Sequence, residues 1–306
     1  MNSSSEMGSA PLAATERLSP RFAALERWPT REAAEALWQE HLAGVAAVQP
    51  ALGVLAEAAE AAAARLEDSG RLVYVGAGTS GRLGALDGAE LPPTFGWPRE
   101  RLCVLLAGGA AALTQAVENA EDDAAAAEAA VAELHLGTHD VMIGVAASGA
   151  TPFTLAAVRA AADRGALTVG IANSPGSPLL AAAAHPVLLA TGTEAIAGST
   201  RMKAGTAQKV ALTMLSTLLM LRLRRVWRGL MIDMDATNEK LRRRAVRMLR
   251  ERASASEEEA AAAIAAAGGK LRIAALLLAG LDREQAEATL LAAGGDLDRA
   301  LEGLAR

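Results

Sequence analysis

Five short runs dominated by apolar and β-branched residues recur along the chain, at about 71–76, 102–106, 141–146, 167–171 and 186–190. Each is bounded by glycine, proline or polar residues. They are continuously apolar rather than alternating, the pattern of strands buried on both faces. Helix-length, alanine-rich stretches separate them. This alternation predicts βαβ units, an α/β fold with a doubly wound five-stranded parallel sheet flanked by helices. Two more helices are predicted ahead of the first strand, at 31–48 and 51–68, parted by Pro50. A long helix from about 204 to 225 is apolar nearly all round, so it needs cover on every side, and a subunit interface is the expected source.

The pattern changes near the end of the chain. Arg242–Arg252 is strongly basic and is expected to be the solvated end of a helix, and 254–259 a linker or helix start. Beyond it, AAGGKLRIA (266–274) returns as AAGGDLDRA (292–300), 26 residues later. Each copy carries a helix, a Gly-Gly stop and the start of another helix. The expected organisation is a disordered tail over 1–14, an α/β domain with its leading helices over 15–252, and a small all-helical domain over 253–306.

The most informative polar positions follow the predicted strand ends. VGAGTSGR (75–82) sets Thr79 and Ser80 between Gly78 and Gly81, where a strand should turn into a helix. Glycines there permit positive φ and close backbone approach. A helix starting near Gly81 would aim free N–H groups and a positive dipole end at an anion. The run also satisfies the dinucleotide fingerprint, which calls for an acidic residue about 20 positions on, at the next strand end. The next strand instead runs into Ala107, Gly108 and Gly109, so a phosphate-bearing ligand fits better than a nicotinamide. AASGATP (146–152) repeats the recipe with Ser148, Gly149 and Thr151, although helix capping by Ser or Thr would explain it equally well. After the fifth strand, 191–209 (TGTEAIAGSTRMKAGTAQK) is polar and glycine-rich.

Composition narrows the function classes. The 306 residues are 52% apolar, ample for a sizeable core, and the longest uncharged apolar stretch, Val210–Leu221, is short for a bilayer. No membrane partner or export signal is expected. A net charge of −5 with 3% aromatic residues argues against nucleic acid. The one cysteine, Cys103, fits a reducing cytoplasm and a core position. His135 and His139 are four apart, but Gly137 interrupts any helix between them, and no metal or cofactor is expected.

Taken together, GAGTSGRLGALDGAELPPTFG (76–96), AVENAED (116–122), AASGATP, GSTRMKAGTAQK (198–209) and ATNEKL (236–241) closely resemble the N-acetylmuramic acid 6-phosphate etherases, bacterial enzymes of the sugar-isomerase (SIS) fold. The blocks span most of 15–245, and the helical tail resembles the small C-terminal domain of that family. The resemblance implies a homodimer that cleaves the D-lactyl ether of N-acetylmuramate 6-phosphate with water. The products would be N-acetylglucosamine 6-phosphate and D-lactate, formed by elimination and then hydration. By motif position it assigns the acid to Glu90 and the base to Glu121. Glu90 is expected to end its helix just before Pro92 and Pro93, desolvated among small and apolar residues. Glu118, three residues before Glu121 and expected on the same helical face, is the rival base. The phosphate contacts carried over are Gly78, Thr79, Ser80, Ser148, Gly149 and Thr151. Ser199, Thr200 and Arg201 are added as substrate contacts, with Lys203 and Lys209 as optional cations.

Three blocks depart from the family pattern. Ala150 stands where the family usually has arginine, LDGAELPP replaces LDASECPP, and TGTEAIAGS differs from GPEVITGS. The first opens the question of altered specificity. Two other readings share the phosphosugar site: a non-catalytic regulator like glucokinase regulatory protein, which usually carries a second SIS domain, and a phosphosugar isomerase, which needs no acid at C3.

Overall fold

The computed structural model describes residues 14–304 apart from 68, 235, 237 and 254. The expected tail over 1–14 therefore lies, but for Ala14, outside the described residues. Helices α1 (Thr30–Ala46) and α2 (Leu52–Leu66) precede β1 (Leu72–Gly76). There follow α3 (Gly78–Phe95), β2 (Leu102–Leu106), α4 (Ala124–Leu134), β3 (Val141–Ala146), α5 (Pro152–Asp163), β4 (Leu167–Ala172), a short α6 (Pro178–Ala182) and β5 (His185–Leu188). Helix α7 (Lys203–Arg222) closes the α/β part. Helices α8 (Glu239–Ala253), α9 (Glu257–Ala266), α10 (Leu271–Leu278), α11 (Arg283–Ala292) and α12 (Leu297–Leu304) complete the chain.

All five strands pair in parallel in the order β2-β1-β3-β4-β5. Chain direction across the sheet reverses between β1 and β3, which makes the crevice beyond their carboxyl ends the natural ligand position. Side chains alternate between two cores. Leu72, Tyr74, Ile143 and Ile171 meet α2 and α7 on one face, and Val73, Val75, Met142 and Ala172 meet α4, α5 and α6 on the other. At the amino ends of the strands, Asp140 accepts the Arg71 and Gly137 backbone N–H groups, each at 2.8 Å, and pairs with the Arg71 guanidinium. Burial would raise the Asp140 carboxyl, but those bonds and the Arg71 charge outweigh it and hold the group below the usual carboxylate range.

The cover for α7 comes from within the chain: α1, α2 and α3 pack around it, and Ala211, Leu212, Leu215 and Leu219 are fully or almost fully buried. Its apolar surface thus does not require the subunit interface expected of it. By length and composition, Thr30–Leu66 and Lys203–Arg222 could each cross a bilayer. Here the first is split by a 3-10 turn at Gln49–Ala51, and more than half of the second is buried.

The helical part has its own core, in which Ala245, Met248 and Leu249 of α8 join α9–α12 and the segment containing Trp227, Ile232 and Met234. The basic run is therefore one face of a packed helix rather than its solvated end. Ser256 begins α9 with a capping box to Glu259, and Asp282 begins α11 with one to Gln285.

Candidate active site

Helix α3 starts at Gly78, three residues earlier than expected, and of the three glycines in GAGTSG only Gly78 has positive φ, +53°. Gly81 serves a different purpose. A Cβ there would stand 2.4 Å from Leu106 Cδ1 and 2.6 Å from the Gly76 carbonyl oxygen, so its absence lets α3 sit directly on the end of β1. Ser80 is buried at the helix start, whereas Thr79 is half-buried and Gly78 exposed.

The second loop lies alongside, because Gly76 pairs in register with Val145. Gly149 is at φ +66°, and a Cβ on it would meet Ser177 Oγ at 2.2 Å. Thr151 occupies the N-cap position of α5 without a side-chain capping bond. The helix-capping explanation therefore fails for Thr151, which is half-buried and whose hydroxyl is unspent on the helix. Ser148 Oγ accepts the Ala150 N–H at 3.2 Å.

The third loop joins the first. A Cβ on Gly205 would lie 3.3 Å from the Thr200 carbonyl oxygen and 3.5 Å from Thr79 Cγ2, so the third loop and the first both border this glycine. Ser199 and Thr200 are half-buried and Arg201 is exposed. The N-terminus of α7 is not free for a ligand. The buried Glu194 carboxylate accepts the N–H groups of Ala204 at 2.8 Å and Lys203 at 3.0 Å. Lys203 is not at the surface: its ammonium pairs with buried Glu40 at 2.5 Å. Neither Glu194 nor Glu40 stands out in the sequence, since each is one acidic residue in a polar or helical stretch.

The two candidate carboxyls sit in different places. Glu121 lies on a 3-10 turn, Ala120–Asp122, packed against α5. Ala120, next to it, and Asp123, two residues on, line a groove of about 720 Å³ together with Phe153, two residues after Thr151. Glu118 shares no helix with it, because Asn119 turns the chain at φ +58°. The expectation of one common helical face therefore fails, and both carboxylates are exposed. Glu90 is on α3, which does not stop before the prolines: it continues through Pro92 and Pro93 to Phe95, where Gly96 ends it at φ +60°. Pro92 and Pro93 lack the N–H groups that would donate to the Gly88 and Ala89 carbonyls, and beyond them the Gly96 N–H donates to the Pro92 carbonyl at 2.9 Å. Glu90 is exposed rather than desolvated. Twelve residues at 1.5 Å rise place it about 18 Å along the helix from Gly78.

The buried carboxyl of this helix is instead Asp87, 4% exposed, which accepts Tyr74 OH at 2.8 Å and Ser216 Oγ at 3.3 Å. Burial raises its pKa, against the pull of the two hydroxyls and of Lys209 on α7. The set ties α3 to the central strand and to α7. Among the described residues, no three His, Cys, Asp or Glu side chains are grouped to hold a metal ion.

Comparison with known proteins places the chain in a family. Over 282 residues the chain is 50% identical to N-acetylmuramic acid 6-phosphate etherase of Deinococcus radiodurans, covering 92% of each chain. The chain belongs to the N-acetylmuramic acid 6-phosphate etherase family. The Rubrobacter xylanophilus member is 45% identical over 91% of this chain and 93% of its own. The Halalkalibacterium halodurans member is 40% identical over 84% and 87%. The SIS domain model matches residues 113–218, and the glucokinase regulatory protein N-terminal SIS domain model matches residues 54–162. Among solved structures, a Bacteroides fragilis protein provisionally named a phosphosugar isomerase involved in capsule formation superposes with a TM-score of 0.52. It is 18% identical, with 66% of this chain and 95% of that one covered, and so shares the fold.

Proposed function

We propose that this etherase-family chain cleaves the D-lactyl ether of N-acetylmuramic acid 6-phosphate, releasing D-lactate and N-acetylglucosamine 6-phosphate in the cytoplasm as part of cell-wall sugar recycling. The observation that carries the reading is the convergence, at the sheet's switch point, of two hydroxyl-bearing loops that each open a helix, in a chain 50% identical to a named etherase. The 6-phosphate takes the hydroxyls of Thr79, Ser80, Ser148 and Thr151 and the free N–H groups of α3 and α5, with Gly78 and Gly149 allowing close approach. Ser199, Thr200 and Arg201 contact the sugar.

With the ring open, the C2 proton is acidified by the aldehyde. Glu121 removes it, the C3–O bond breaks, and Glu90 as acid protonates the departing lactate oxygen. Water then adds to C3 of the unsaturated aldehyde and a proton returns to C2, so the net change is one water consumed. Glu121 lies next to the loop that opens α5. Glu90, about 18 Å along α3 from Gly78, is too far to serve the phosphate site of its own chain. We infer that a second copy supplies it, so the active species is a homodimer with shared sites.

The test is D-lactate release from N-acetylmuramate 6-phosphate by wild type, Glu90→Ala and Glu121→Ala. Each variant should lose about 10²- to 10⁴-fold in kcat. Mixing the two inactive variants should restore about a quarter of wild-type activity, since half the dimers are then mixed and each holds one intact site. Absence of recovery on mixing would mean unshared sites, and no lactate from the wild type would transfer the phosphosugar site to a sensor or an isomerase.

A further inference from the structure

Between β2 and α4, residues 107–123 cross the edge of the sheet with no strand or α-helix, only the 3-10 turns Gly109–Leu113 and Ala120–Asp122. Glu121 rides on the second. A segment so poor in its own hydrogen bonds takes its position from outside anchors. Its ends are held by Ala107 N–H on the Gly76 carbonyl at 3.1 Å and by Asp123 capping α4 through the Ala126 N–H at 2.9 Å. Its middle is held by Arg82. The Nε–H of Arg82 donates to the Ala112 carbonyl at 2.8 Å, and one Nη–H donates to the Gln115 carbonyl at 2.9 Å. Arg82 lies four residues after Gly78 on α3 and is half-buried. It forms no ion pair with a carboxylate among the described residues, so its charge is spent on these two carbonyls.

We propose that Arg82 is a positioning residue: its guanidinium locks the 109–123 segment to α3 and thereby sets Glu121 against the phosphosugar held at the first turns of α3 and α5. The inference rests on the reading of Glu121 as base. A rigid planar fork satisfies two carbonyls three residues apart, which the point charge of lysine does not. Phosphate capture and base placement then depend on one helix, because Thr79 and Ser80 sit within a turn of the residue that fixes the segment.

The experiment compares full-length wild type, Arg82→Lys, Arg82→Ala and Glu121→Ala for steady-state lactate release and for hydrogen exchange over 107–123. In Arg82→Ala, kcat should fall about 10- to 100-fold, the scale expected of a group displaced by an ångström or so. KM should change little, and exchange over 107–123 should rise while 78–95 stays protected. Added methylguanidinium should restore part of the kcat of Arg82→Ala but none of Glu121→Ala. Arg82→Lys, which keeps the charge and the fold, should show the same kcat loss in milder form. A raised KM with unchanged exchange would overturn the proposal in favour of direct substrate contact, as would wild-type kcat in both Arg82 variants. Activity retained by Glu121→Ala would sink the base assignment alone, since the exchange readout judges the anchor independently.

Discussion

At the scale of single residues, the site is shaped as much by side chains that are missing as by those present. Gly81 has no room for a methyl group, because the obstacle includes the Gly76 carbonyl of a central strand. Gly78, one turn earlier, has open space around its Cβ position and only a positive φ to satisfy. The two should therefore respond differently to alanine. Gly81→Ala should cost about 3 kcal/mol, the upper end for overpacking against backbone, and displace the Thr79–Ser80 turn. Gly78→Ala should cost about 1–2 kcal/mol, the strain of the left-handed region alone. Urea unfolding of the two variants checks the order, and equal losses would mean that crowding at the β1–α3 junction is relieved by movement. Both glycines stand in the fingerprint, but their letters do not separate the two needs.

At the scale of elements, the first turns of α7 are held from behind by α1. Lys203, the first residue of α7, pairs with Glu40 in the interior, and Arg21 reaches the other carboxylate oxygen at 3.4 Å. His41 Nδ1 meets Thr206 Oγ1 at 2.7 Å one turn further on. A buried ion pair is costly to break and cheap to replace as a unit. Lys203→Met should accordingly destabilise by about 3–5 kcal/mol, because Glu40 is left largely uncompensated. Combining it with Glu40→Leu should recover most of that loss. A double-mutant cycle by thermal unfolding measures the coupling, and additive losses would show that the pair contributes no net interaction. Alanine-rich α1 offers little periodicity of its own, so nothing in its sequence marks Glu40 as inward.

At the scale of the whole molecule, the loops of the crevice depend on the sheet being pinned at its other end. Asp140 joins the starts of β1 and β3 through Arg71 and Gly137. Its carboxyl is held below the usual range when folded, so the native state binds that proton less readily than the unfolded chain. The stabilisation is then complete above the unfolded value of about 3.9 and is lost as pH falls through the lower folded value. Asp140→Asn should lower the melting temperature at pH 7, with the gap to wild type narrowing as pH drops below about 4. A gap constant with pH would assign the effect to hydrogen bonding rather than charge. The two helical repeats pack with α8 into a separate core, so acid loosening of the sheet should leave exchange protection in α9–α12 unchanged.

The chain by itself determined the five strands, their parallel alternation with helices, and the hydroxyl-bearing loops after β1 and β3. Continuous apolar runs bounded by glycine, proline and polar residues are long enough to specify buried strands. The motif blocks carried the family. Tertiary structure alone decided that α7 is covered by its own chain, that Lys203 is consumed by Glu40 and that Glu194 closes the α7 terminus. These are pairings between residues far apart in sequence, whose letters carry no mark of their partner. It also decided that α3 runs through Pro92 and Pro93 to a capping turn in which the Gly96 N–H donates to the Pro92 carbonyl at 2.9 Å. Above all, it separated Glu90 from the glycine- and hydroxyl-bearing turn at the start of its own helix. One motif block holds both, but 1.5 Å of rise per residue turns adjacency in sequence into about 18 Å in space.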